Sequence, residues 1–503
     1  MRNTFWSLQN LLEGWVSLNS QYSSIPVHGL SIDSRSTRVG DLFFALKGLE
    51  QHGLQHSSQA IDNGAVAIAW ESDEAIRLDG LPKTVPCIEV SDLHSKLGLI
   101  SQRFYADVSR HMYVVGVTGT DGKTSVSQFI AQALKHLSIP CGVIGTLGYG
   151  VYPNLSEASH TTPDAIKVHG LLHEYYSNDV KHAVIEASSH GLVQGRLNGV
   201  NFNTAVLTNL GRDHMDYHAS IKEYAKAKKL LFQSEHLQHA IINVDDEFGK
   251  ELAHEFSESI NVIRYSISSD LDESDSFLSA SNIEYKLGET YFDIFSSWGS
   301  ASISTKLVGS FNVSNLLAVL GVLLANGVKF NRAISAVKSL NTVPGRMEFI
   351  RNSKSDEQNA PVVVIDYAHT PQALENVLKV LRAQCDGKLY CVFGCGGDRD
   401  QGKRKLMAQA AERYANKVIL TDDNPRFEDP ATITREVETG FSTEYSYELI
   451  HDRRAAIKHA IEDAGPNDIV LVAGKGHEAM QIIKGKKLAF DDKRIAQEIM
   501  RNI

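Results

Sequence analysis

The order of apolar and polar positions divides the 503-residue chain into three regions. Residues 1–108 contain short strand-like apolar runs, such as 41–46 and 65–70. Residues 109–342 and 343–503 alternate short apolar runs with longer helical patterns. Strands that alternate with helices form parallel sheets whose faces are covered by helices. The pattern therefore predicts an α/β protein with three domains, and a domain of roughly 100–200 residues agrees with that division.

One glycine-rich segment follows an apolar run directly and precedes a helical pattern. The run is 113–117, and the segment reads Thr-Gly-Thr-Asp-Gly-Lys-Thr. Glycines allow backbone N–H groups to turn toward an anion, and the N-terminus of a following helix favours negative charge. The lysine can reach terminal phosphates, and the last threonine hydroxyl can bind Mg²⁺. The segment predicts a nucleoside triphosphate site made of Thr118, Gly119, Thr120, Asp121, Gly122, Lys123 and Thr124.

The spacing of this loop departs from the usual phosphate-loop pattern G-x-x-x-x-G-K-[ST]. Counting back five residues from Gly122 reaches Val117, and Gly116 stands one residue too early. A plain glycine-rich turn is the alternative interpretation. A GTPase is disfavoured, because the nearest match to an N-K-x-D base-recognition motif, at 416–419, lacks the acid.

Two further polar loops follow apolar runs of the second region. Glu186 comes directly after a strand-like run, where an acid opposite a phosphate loop is a natural Mg²⁺ ligand. A helix cap or an ion pair is the alternative role for this glutamate. The segment 213–218 contains two aspartates and two histidines, Asp213 and His214 among them, and is either a metal-site loop or a solvated polar loop. Two such loops beside a phosphate loop favour the metal interpretation.

A basic segment follows these loops and has a helical pattern. Lys226, Lys228 and Lys229 come shortly after Tyr224. From the pattern alone, these lysines form a solvated basic face.

Charge, cysteine content and hydropathy limit the classes of partner. The chain has 60 acidic and 50 basic residues, which disfavours a nucleic-acid partner because phosphate backbones are bound by clustered Lys and Arg. Its five cysteines are few and odd in number, which is typical of buried thiols in a reducing compartment. No stretch approaches about 18 apolar residues, and residues 1–20 lack a signal-peptide pattern. We therefore expect a cytoplasmic protein without a membrane span.

Taken together, the motifs resemble those of one enzyme family. The loop at 118–124 resembles the T-G-T-[N/D]-G-K-T loop of the Mur ligases and folylpolyglutamate synthases, ATP-dependent amide ligases whose loop carries one extra residue. The resemblance to the Mur ligases extends over most of the chain. It rests on the segments 161–165, 186–196, 207–218, 309–318, 344–348, 366–371, 393–404, 422–426 and 473–478.

The resemblance implies a role for each predicted domain. Residues 1–108 would form a smaller α/β domain that binds the UDP substrate, and residues 109–342 a central ATP-binding domain with a P-loop ATPase-like parallel sheet. Residues 343–503 would form a Rossmann-like ligase domain that binds the incoming amino acid. The uridine nucleotide would contact Ile32, Ser34, Leu49, Glu50 and Gln51, and the muramoyl dipeptide would contact His160, Thr161, Thr162, Ser188, Gln194 and Arg196.

The resemblance also implies the ATP contacts and the Mg²⁺ ligands. Asn312, Arg346 and Asp366 match positions that contact the nucleotide, and Arg346 lies in the third region. ATP would then lie between two domains, and we expect domain closure during the reaction. The expected Mg²⁺ ligands are Thr124, Glu186, His214 and Lys228 as a carbamate, and the last three act with Lys123 as the expected catalytic residues.

The carbamate revises the solvated interpretation of Lys228. Carbamylation would turn this ammonium into an anion that can help bind Mg²⁺, whereas the unmodified cation would repel the metal. Two residues depart from the family pattern. Asp121 stands where Asn is common, so we expect it to point away from the phosphates or toward the metal. His160 stands where Asn is frequent, which puts its substrate contact in question.

The segment 422–426 indicates which amino acid is added. meso-Diaminopimelate carries a second amino-acid head with its own carboxylate, whereas lysine has only an ammonium there. Recognition of a carboxylate calls for a guanidinium, which Arg426 supplies. A surface arginine in a turn is the alternative. By the resemblance, the diaminopimelate pocket contains Arg399, Asp423, Asn424, Pro425, Arg426, Gly474 and Glu478.

The expected activity is therefore that of an ATP-dependent amide ligase of peptidoglycan precursor synthesis. It would add meso-2,6-diaminopimelate to UDP-N-acetylmuramoyl-L-alanyl-D-glutamate through an acyl phosphate, with ATP as co-substrate. A lysine-adding homologue and a folylpolyglutamate synthase-like ligase are alternatives within the superfamily. A regulatory nucleotide-binding protein without a ligase step is an alternative of another class. We expect small-molecule partners only, and a monomer.

Overall fold

The computed structural model of the chain describes residues 6–48, 51–73, 84–268, 271, 276–286, 288–351 and 360–502. By its internal contacts the chain divides into two compact units. The first unit consists of Met1–Gly116, Pro140–Asn203 and Leu230–Leu237. The second consists of Val117–Ile139, Thr204–Lys229 and Gln238–Ile503. The boundaries of the three predicted domains stay predictions.

Helices and strands alternate along most of the described chain. The strands are β1 (Trp6–Ser7), β2 (Pro26–Val27), β3 (Gly29–Ser31), β4 (Asp41–Ala45), β5 (Ala67–Glu71), β6 (Cys87–Val90), β7 (Tyr113–Thr118), β8 (Cys141–Gly145), β9 (Gly148–Val151), β10 (Asn154–Ser156), β11 (His182–Glu186), β12 (Thr204–Leu207), β13 (His239–Asn243), β14 (Asn261–Ser266), β15 (Phe277–Lys286), β16 (Glu289–Ser296), β17 (Gly299–Thr305), β18 (Glu348–Ile350), β19 (Val362–Asp366), β20 (Leu389–Phe393), β21 (Lys417–Leu420), β22 (Glu448–Leu449), β23 (Ile469–Ala473), β24 (Met480–Ile483) and β25 (Lys486–Ala489). The α-helices are α1 (Leu8–Leu12), α2 (Ser20–Ser23), α3 (Ser57–Asp62), α4 (Leu93–Phe104), α5 (Lys123–His136), α6 (Ala165–Ser177), α7 (Ser189–Val193), α8 (Ile221–Lys229), α9 (Glu247–Phe256), α10 (Ser310–Ala325), α11 (Phe330–Lys338), α12 (Pro371–Arg382), α13 (Gly402–Tyr414), α14 (Pro430–Glu438), α15 (Arg453–Asp463) and α16 (Asp492–Met500).

The first unit contains a small parallel sheet with the order β3-β4-β5-β6. Every residue of β4 is buried, as expected for a central parallel strand with helices on both faces. The unit also contains the strand order β10-β9-β8-β11-β7, in which β8 and β11 are parallel while β9 and β10 are antiparallel to their neighbours. Strand β7 begins in this unit and ends in the second.

The second unit contains strands in the order β12-β13-β14-β15-β16-β17. The pairs from β12 to β15 are parallel, and β16 and β17 add antiparallel strands. Helix α10 contacts β12, β13, β14 and β15. Most of its residues are buried, which fits a sequence that is apolar on nearly all sides.

A six-stranded sheet in the second unit has the order β18-β19-β23-β20-β21-β22. All its pairs are parallel except β18 with β19. Alternate strand residues face two separate hydrophobic cores, with Val364 and Leu471 in one, and Val363 and Val470 in the other. The α/β class with parallel sheets is thus confirmed. The carboxyl ends of β19, β20, β21 and β23 lie at one edge of the sheet, where ligands bind in such folds.

Helix length and cysteine burial concern two further sequence expectations. Among the described residues, no helix is both long and apolar enough to cross a lipid bilayer. All five cysteines are described and stand outside disulfides, and each is buried except Cys87, which is half-buried.

Candidate active site

The phosphate loop connects the end of β7 to the start of α5. Gly119 has φ +149°, and a Cβ atom there would overlap the Thr208 hydroxyl, so this position requires glycine. The Lys123 ammonium donates to the carbonyl oxygens of Gly119 (2.8 Å) and Thr120 (2.7 Å), which folds its side chain over the loop. Because the N-terminus of the 14-residue α5 adds its positive dipole end, the loop favours a bound anion.

Asp121, within the same loop, contacts a residue of the third region. The Thr370 hydroxyl lies 3.1 and 3.2 Å from the two carboxylate oxygens of Asp121 and donates to this group. Thr370 is the N-cap of α12 and accepts a hydrogen bond from the Ala373 N–H. Burial raises the pKa of Asp121, although His369 and Lys123 act in the opposite direction. The structure therefore gives Asp121 a partner that the sequence did not indicate.

Lys228 is buried beneath the phosphate loop. Its side chain is on the inner face of α8, and its Nζ donates to the Gly119 carbonyl oxygen at 2.7 Å. Burial and the nearby Lys123 ammonium lower the pKa of Lys228 well below its usual value. The solvated interpretation holds for Lys226, which is exposed, and is wrong for Lys228. The surroundings thus shift Lys228 toward the neutral amine, which is the nucleophilic form.

The Asp213 carboxylate lies close to one lysine and two histidine side chains. Its carboxylate lies 3.2 Å from the Lys403 ammonium and 3.5 Å from Nε2 of both His214 and His369. Burial alone would raise the pKa of Asp213, but these three neighbours outweigh burial and hold the pKa well below its usual value. His214 has φ +57°, an uncommon backbone conformation that is often found at functional sites. The loop at 213–218 is therefore a built electrostatic cluster rather than a solvated turn.

Arg346 and Asp366 lie in one cluster at the end of β19. The Asp366 carboxylate accepts the backbone N–H groups of Met347 and Ala368, both at 2.7 Å. Burial raises the pKa of Asp366, and the Arg346 charge opposes that effect. The Arg346 guanidinium stacks 4.2 Å above the Tyr367 ring, and its buried Nη1 has no hydrogen-bond partner among the described residues. A buried donor without an acceptor indicates a position for an anionic ligand.

Asn312, the third predicted ATP contact, lies in the first turn of α10. Its Nδ2 donates to the Val308 carbonyl oxygen (2.9 Å), and its Oδ1 accepts from Asn315 (3.4 Å). Both sides of the Asn312 amide are therefore held in a fixed orientation.

Four of the predicted substrate residues of the first unit form one hydrogen-bonded cluster with Glu186. The Thr162 hydroxyl donates to the Glu186 carbonyl oxygen at 2.6 Å and lies 2.9 Å from the Ser188 hydroxyl. Arg196 donates to the Thr162 carbonyl oxygen (2.6 Å) and twice to Oε1 of Gln194 (3.0 and 2.6 Å). The structure thus brings together residues that the sequence separates by up to 34 positions.

The Glu186 carboxylate is oriented by Thr146, which the sequence did not indicate. The Thr146 N–H donates to Oε1 (2.9 Å) and its hydroxyl donates to Oε2 (3.0 Å). The Thr146 hydroxyl also lies 3.0 Å from the Thr161 hydroxyl. His160 is exposed, with its Nδ1 3.3 Å from the Ser159 hydroxyl.

The candidate uridine contacts follow β3 and β4. The Ser34 hydroxyl is buried and donates to Oε1 of Gln59 at 2.6 Å, and Ile32 packs against the core of the first unit. Gln51 is exposed and accepts the Gly48 N–H through its carbonyl oxygen. Leu49 and Glu50 lie outside the described residues.

The loops after β20 and β21 bring two arginines together. Arg426 has φ +54° and donates from Nη1 to the Gly397 carbonyl oxygen at 2.7 Å. Burial lowers the pKa of Arg426, and the Arg399 charge lowers it further. Arg426 is half-buried and Arg399 is exposed, and two neighbouring guanidinium groups that repel each other favour an anionic ligand beside them.

The loop after β23 adds a carboxylate to these arginines. Glu478 accepts the Asn424 amide N–H at 2.9 Å. Gly474 has φ +113°, and a Cβ atom there would lie 2.7 Å from a carboxylate oxygen of Asp423. Pro425 is buried between Asn424 and Arg426 in the chain. The predicted amino-acid pocket is thus a set of three neighbouring strand-end loops with both cations and carboxylates.

Sequence reasoning missed the partners that orient these groups. Thr146, Thr370 and Lys403 reach their carboxylates across 40, 249 and 190 positions of the chain. The available signal was only that each lies in or beside a polar loop after a strand. Such pairings depend on the fold and cannot be obtained from local pattern.

Models of one protein family match three segments of the chain. The model described as "Mur ligase family, catalytic domain" matches residues 26–105, and the Mur ligase middle domain matches residues 117–323. The model described as "Mur ligase, glutamate ligase domain" matches residues 345–476.

Curated relatives are similar over nearly the whole chain. A UDP-N-acetylmuramoyl-L-alanyl-D-glutamate–2,6-diaminopimelate ligase of Coxiella burnetii is 42% identical over 478 residues, which cover 95% of this chain and 96% of the relative. The Pseudomonas putida protein of the same name is 41% identical, and the match covers 94% of this chain and 95% of the relative.

Solved structures agree with this similarity. A structure of a UDP-N-acetylmuramoyl-L-alanyl-D-glutamate–2,6-diaminopimelate ligase superimposes with a TM-score of 0.70 at 37% identity and covers 99% of both chains. MurF from Acinetobacter baumannii gives a TM-score of 0.67 at 18% identity, covering 99% of this chain and 100% of that one. The Mycobacterium tuberculosis folylpolyglutamate synthase gives 0.61 at 18% identity, covering 76% and 92%. The last two similarities concern the fold alone.

Proposed function

The chain belongs to the Mur ligase family, and from that premise we propose that it adds meso-2,6-diaminopimelate to UDP-N-acetylmuramoyl-L-alanyl-D-glutamate. The reaction consumes ATP and forms ADP, phosphate and an amide bond. The observation that carries this proposal is the position of Arg426 beside Arg399, with the Glu478 carboxylate on the neighbouring loop. A zwitterionic amino-acid head needs both a guanidinium and a carboxylate, and these loops supply them.

The first step transfers the γ-phosphoryl group of ATP to the γ-carboxylate of the D-glutamate residue. A carboxylate is a poor electrophile, and phosphorylation gives it a leaving group. Lys123 and the N-terminus of α5 bind the terminal phosphates, and the buried Nη1 of Arg346 donates to the nucleotide. Asp366 holds the segment around Arg346 by accepting the Met347 N–H, holds its own loop by accepting the Ala368 N–H, and contacts the nucleotide together with Asn312.

The second step forms the amide bond. The diaminopimelate amine loses its proton and attacks the carbonyl carbon of the acyl phosphate, and the resulting tetrahedral intermediate expels phosphate. The protein contributes mainly by orienting the two reactants and by balancing charge. Arg399, Arg426 and Glu478 hold the distal head of the amino acid, which places the reacting amine. The muramoyl dipeptide is bound by the first-unit residues Thr161, Thr162, Ser188, Gln194 and Arg196, with His160 at the edge.

The proposed ligand set includes hydroxyl and carboxylate oxygens, which Mg²⁺ prefers. Among the described residues, no group of three His, Cys, Asp or Glu side chains is placed to hold a metal ion. The proposed protein ligands are Thr124, Glu186, His214 and Lys228. When bound, Mg²⁺ neutralises charge on the transferring phosphoryl group. Asp213 orients His214, and the lowered pKa of Lys228 favours the neutral amine, which is the form that would react with CO₂ to give the carbamate.

We further propose that the protein acts in the cytoplasm as a monomer on small-molecule substrates. The nucleotide-linked substrate and ATP are both polar, and the net charge of −10 offers no general attraction to nucleic acid.

Phosphate release tests the proposed function. The purified protein is incubated with ATP and UDP-N-acetylmuramoyl-L-alanyl-D-glutamate, and meso-diaminopimelate, lysine or glutamate is added in separate reactions. We expect release to depend on diaminopimelate, with little release for lysine. Release with glutamate alone, or a rate that is independent of any amino acid, would contradict the proposal.

A further inference from the structure

Lys475 is a fully buried lysine at the centre of the candidate amino-acid pocket. Its side chain is 0% exposed and follows the end of β23. Nζ donates to three acceptors, namely Oδ1 of Asn424 (3.3 Å), Oε2 of Glu478 (3.1 Å) and the Met480 carbonyl oxygen (2.7 Å). Three acceptors match the three N–H groups of an ammonium. Lys475 therefore has no remaining donor for a substrate and acts through its neighbours.

The neighbours of Lys475 include the carboxylate that would bind the distal amine. Oε2 of Glu478 accepts from both Lys475 and the Asn424 amide, at 3.1 and 2.9 Å. Oε1 accepts from the Tyr367 hydroxyl only at 3.4 Å, so this oxygen retains capacity for a stronger donor. The Glu478 side chain is 32% exposed, so a ligand can reach it. Lys475 thus fixes one oxygen of Glu478 and leaves the other for the ligand.

We propose that Lys475 is a positioning residue that makes this pocket select diaminopimelate over amino acids, such as lysine, whose distal end is a lone ammonium. The inference rests on the proposed function. It assigns to Lys475 two linked effects: fixing the rotamer of Glu478, and reducing the net negative charge that Glu478 presents.

The charges around the pocket support this role. The charged groups that act on one another around Arg426 and Glu478 are the cations Arg399, Arg426 and Lys475 and the carboxylates Asp398, Asp423 and Glu478. Three cations against three carboxylates balance, so Lys475 cancels one negative charge of the pocket. The distal head of diaminopimelate has an ammonium and a carboxylate and is neutral, whereas the distal end of lysine is a cation. The balanced set suits the neutral distal head of diaminopimelate, whereas removing Lys475 leaves one excess negative charge that favours the cationic end of lysine.

The packing around Lys475 indicates that a neutral replacement can fold. In Lys475→Met, Oδ1 of Asn424 still accepts the Ile482 N–H (2.9 Å), and Oε2 of Glu478 still accepts the Asn424 amide (2.9 Å). Methionine has nearly the length of the lysine stem, so little volume is lost. The substitution therefore changes the charge and the orientation of Glu478, and it removes the hydrogen bond to the Met480 carbonyl oxygen.

The test compares Lys475→Met with the wild type and with Lys458→Met. Lys458 is exposed on α15 and pairs only weakly with Glu462 at 3.7 Å, so it controls for the loss of a lysine charge elsewhere in the same region. We measure kcat and KM for diaminopimelate and for lysine, and KM for ATP and the UDP-muramoyl dipeptide. We expect the diaminopimelate-to-lysine ratio of kcat/KM to fall by on the order of tenfold or more in Lys475→Met only. KM for ATP and the UDP substrate should stay within about twofold, because a general structural defect would change them too.

A second variant separates charge from structure. Lys475→Met/Glu478→Gln removes both charges of the pair, so the double variant should lose diaminopimelate use and remain poor with lysine. It also serves as the test if the single variant does not fold. An unchanged selectivity ratio in folded Lys475→Met, or lysine use in the double variant equal to that in the single variant, would overturn the inference. A wild type that does not use diaminopimelate would instead contradict the proposed function itself, so the two failures are distinguishable.

Discussion

Arg426→Ala is the substitution whose effect the structure predicts most directly. The guanidinium donates to the Gly397 carbonyl oxygen and lies close enough to Arg399 for the two charges to repel. Removing one member of a desolvated charge pair with a ligand costs about 2–5 kcal/mol, or about 30- to 4,000-fold in kcat/KM. Because Arg426 is half-exposed, we expect the lower part of that range, about 30- to 300-fold, since solvent screens part of the interaction.

The assay is the dependence of phosphate release on diaminopimelate concentration. We expect the effect in KM for diaminopimelate, with KM for ATP nearly unchanged, because the ATP contacts are on other loops. Arg435→Ala is the matched control, since Arg435 is exposed on α14 and, among the described residues, its side chain bonds only to Ala431 and Thr432 of its own helix. That control should match the wild type in kcat, in KM for diaminopimelate and in KM for ATP.

The reasoning would be refuted by an Arg426→Ala enzyme with wild-type kcat/KM for diaminopimelate. An equal loss for ATP and diaminopimelate would also count against it, because such a loss indicates a disturbed fold rather than a missing ligand contact.

Three further substitutions test other parts of the account. Arg346→Met should raise KM for ATP by on the order of tenfold or more, because it removes a buried donor that has no partner within the described chain, and nucleotide titration measures this. Gly119→Ala should abolish ATP binding, because the added Cβ overlaps the Thr208 hydroxyl. The control Gly327→Ala has φ +75° with open space around it, so it should bind ATP normally and lower the free energy of unfolding, measured with denaturant, by only about 1–2 kcal/mol. Arg453→Met should lower the free energy of unfolding by about 3–5 kcal/mol, because it leaves the fully buried Asp492 without its cation, and the Arg453→Met/Asp492→Leu pair should recover most of that loss.

The six-stranded sheet shows what apolar pattern can predict. In the third predicted region, the short apolar runs are 361–368, 389–394, 417–423 and 468–476, and they contain β19, β20, β21 and β23. These strands are buried on both faces, so they stand out as continuous apolar runs between polar loops. The end of each apolar run therefore also marks where the polar loop after that strand begins.

The antiparallel strands β15, β16 and β17 were not predicted. Strand β16 alternates between buried and half- or fully exposed positions, so it contains no continuous apolar run. An alternating pattern is a weaker strand signal than a continuous apolar run, so the sequence did not indicate these strands.

Lys228 shows why the candidate site could be predicted only in part. Tyr224, Ala227 and Lys228 are the buried positions of α8, so this lysine lies on the inner face although its neighbours suggest a solvated one. Helical spacing alone cannot assign a single lysine to the buried side when adjacent lysines are exposed. The resemblance to the family, and not the pattern, directed attention to it.

The central claim is that ATP activates the D-glutamate carboxylate before the amide bond forms. The most direct measurement uses UDP-N-acetylmuramoyl-L-alanyl-D-glutamate with ¹⁸O in the γ-carboxylate, together with ATP and meso-diaminopimelate. Mass spectrometry then follows the label in the released phosphate and the mass of the peptide product. The account predicts that one labelled oxygen moves from the carboxylate into each phosphate and that the product contains diaminopimelate. Phosphate without the label would contradict an acyl phosphate and, with it, the proposed ligase reaction.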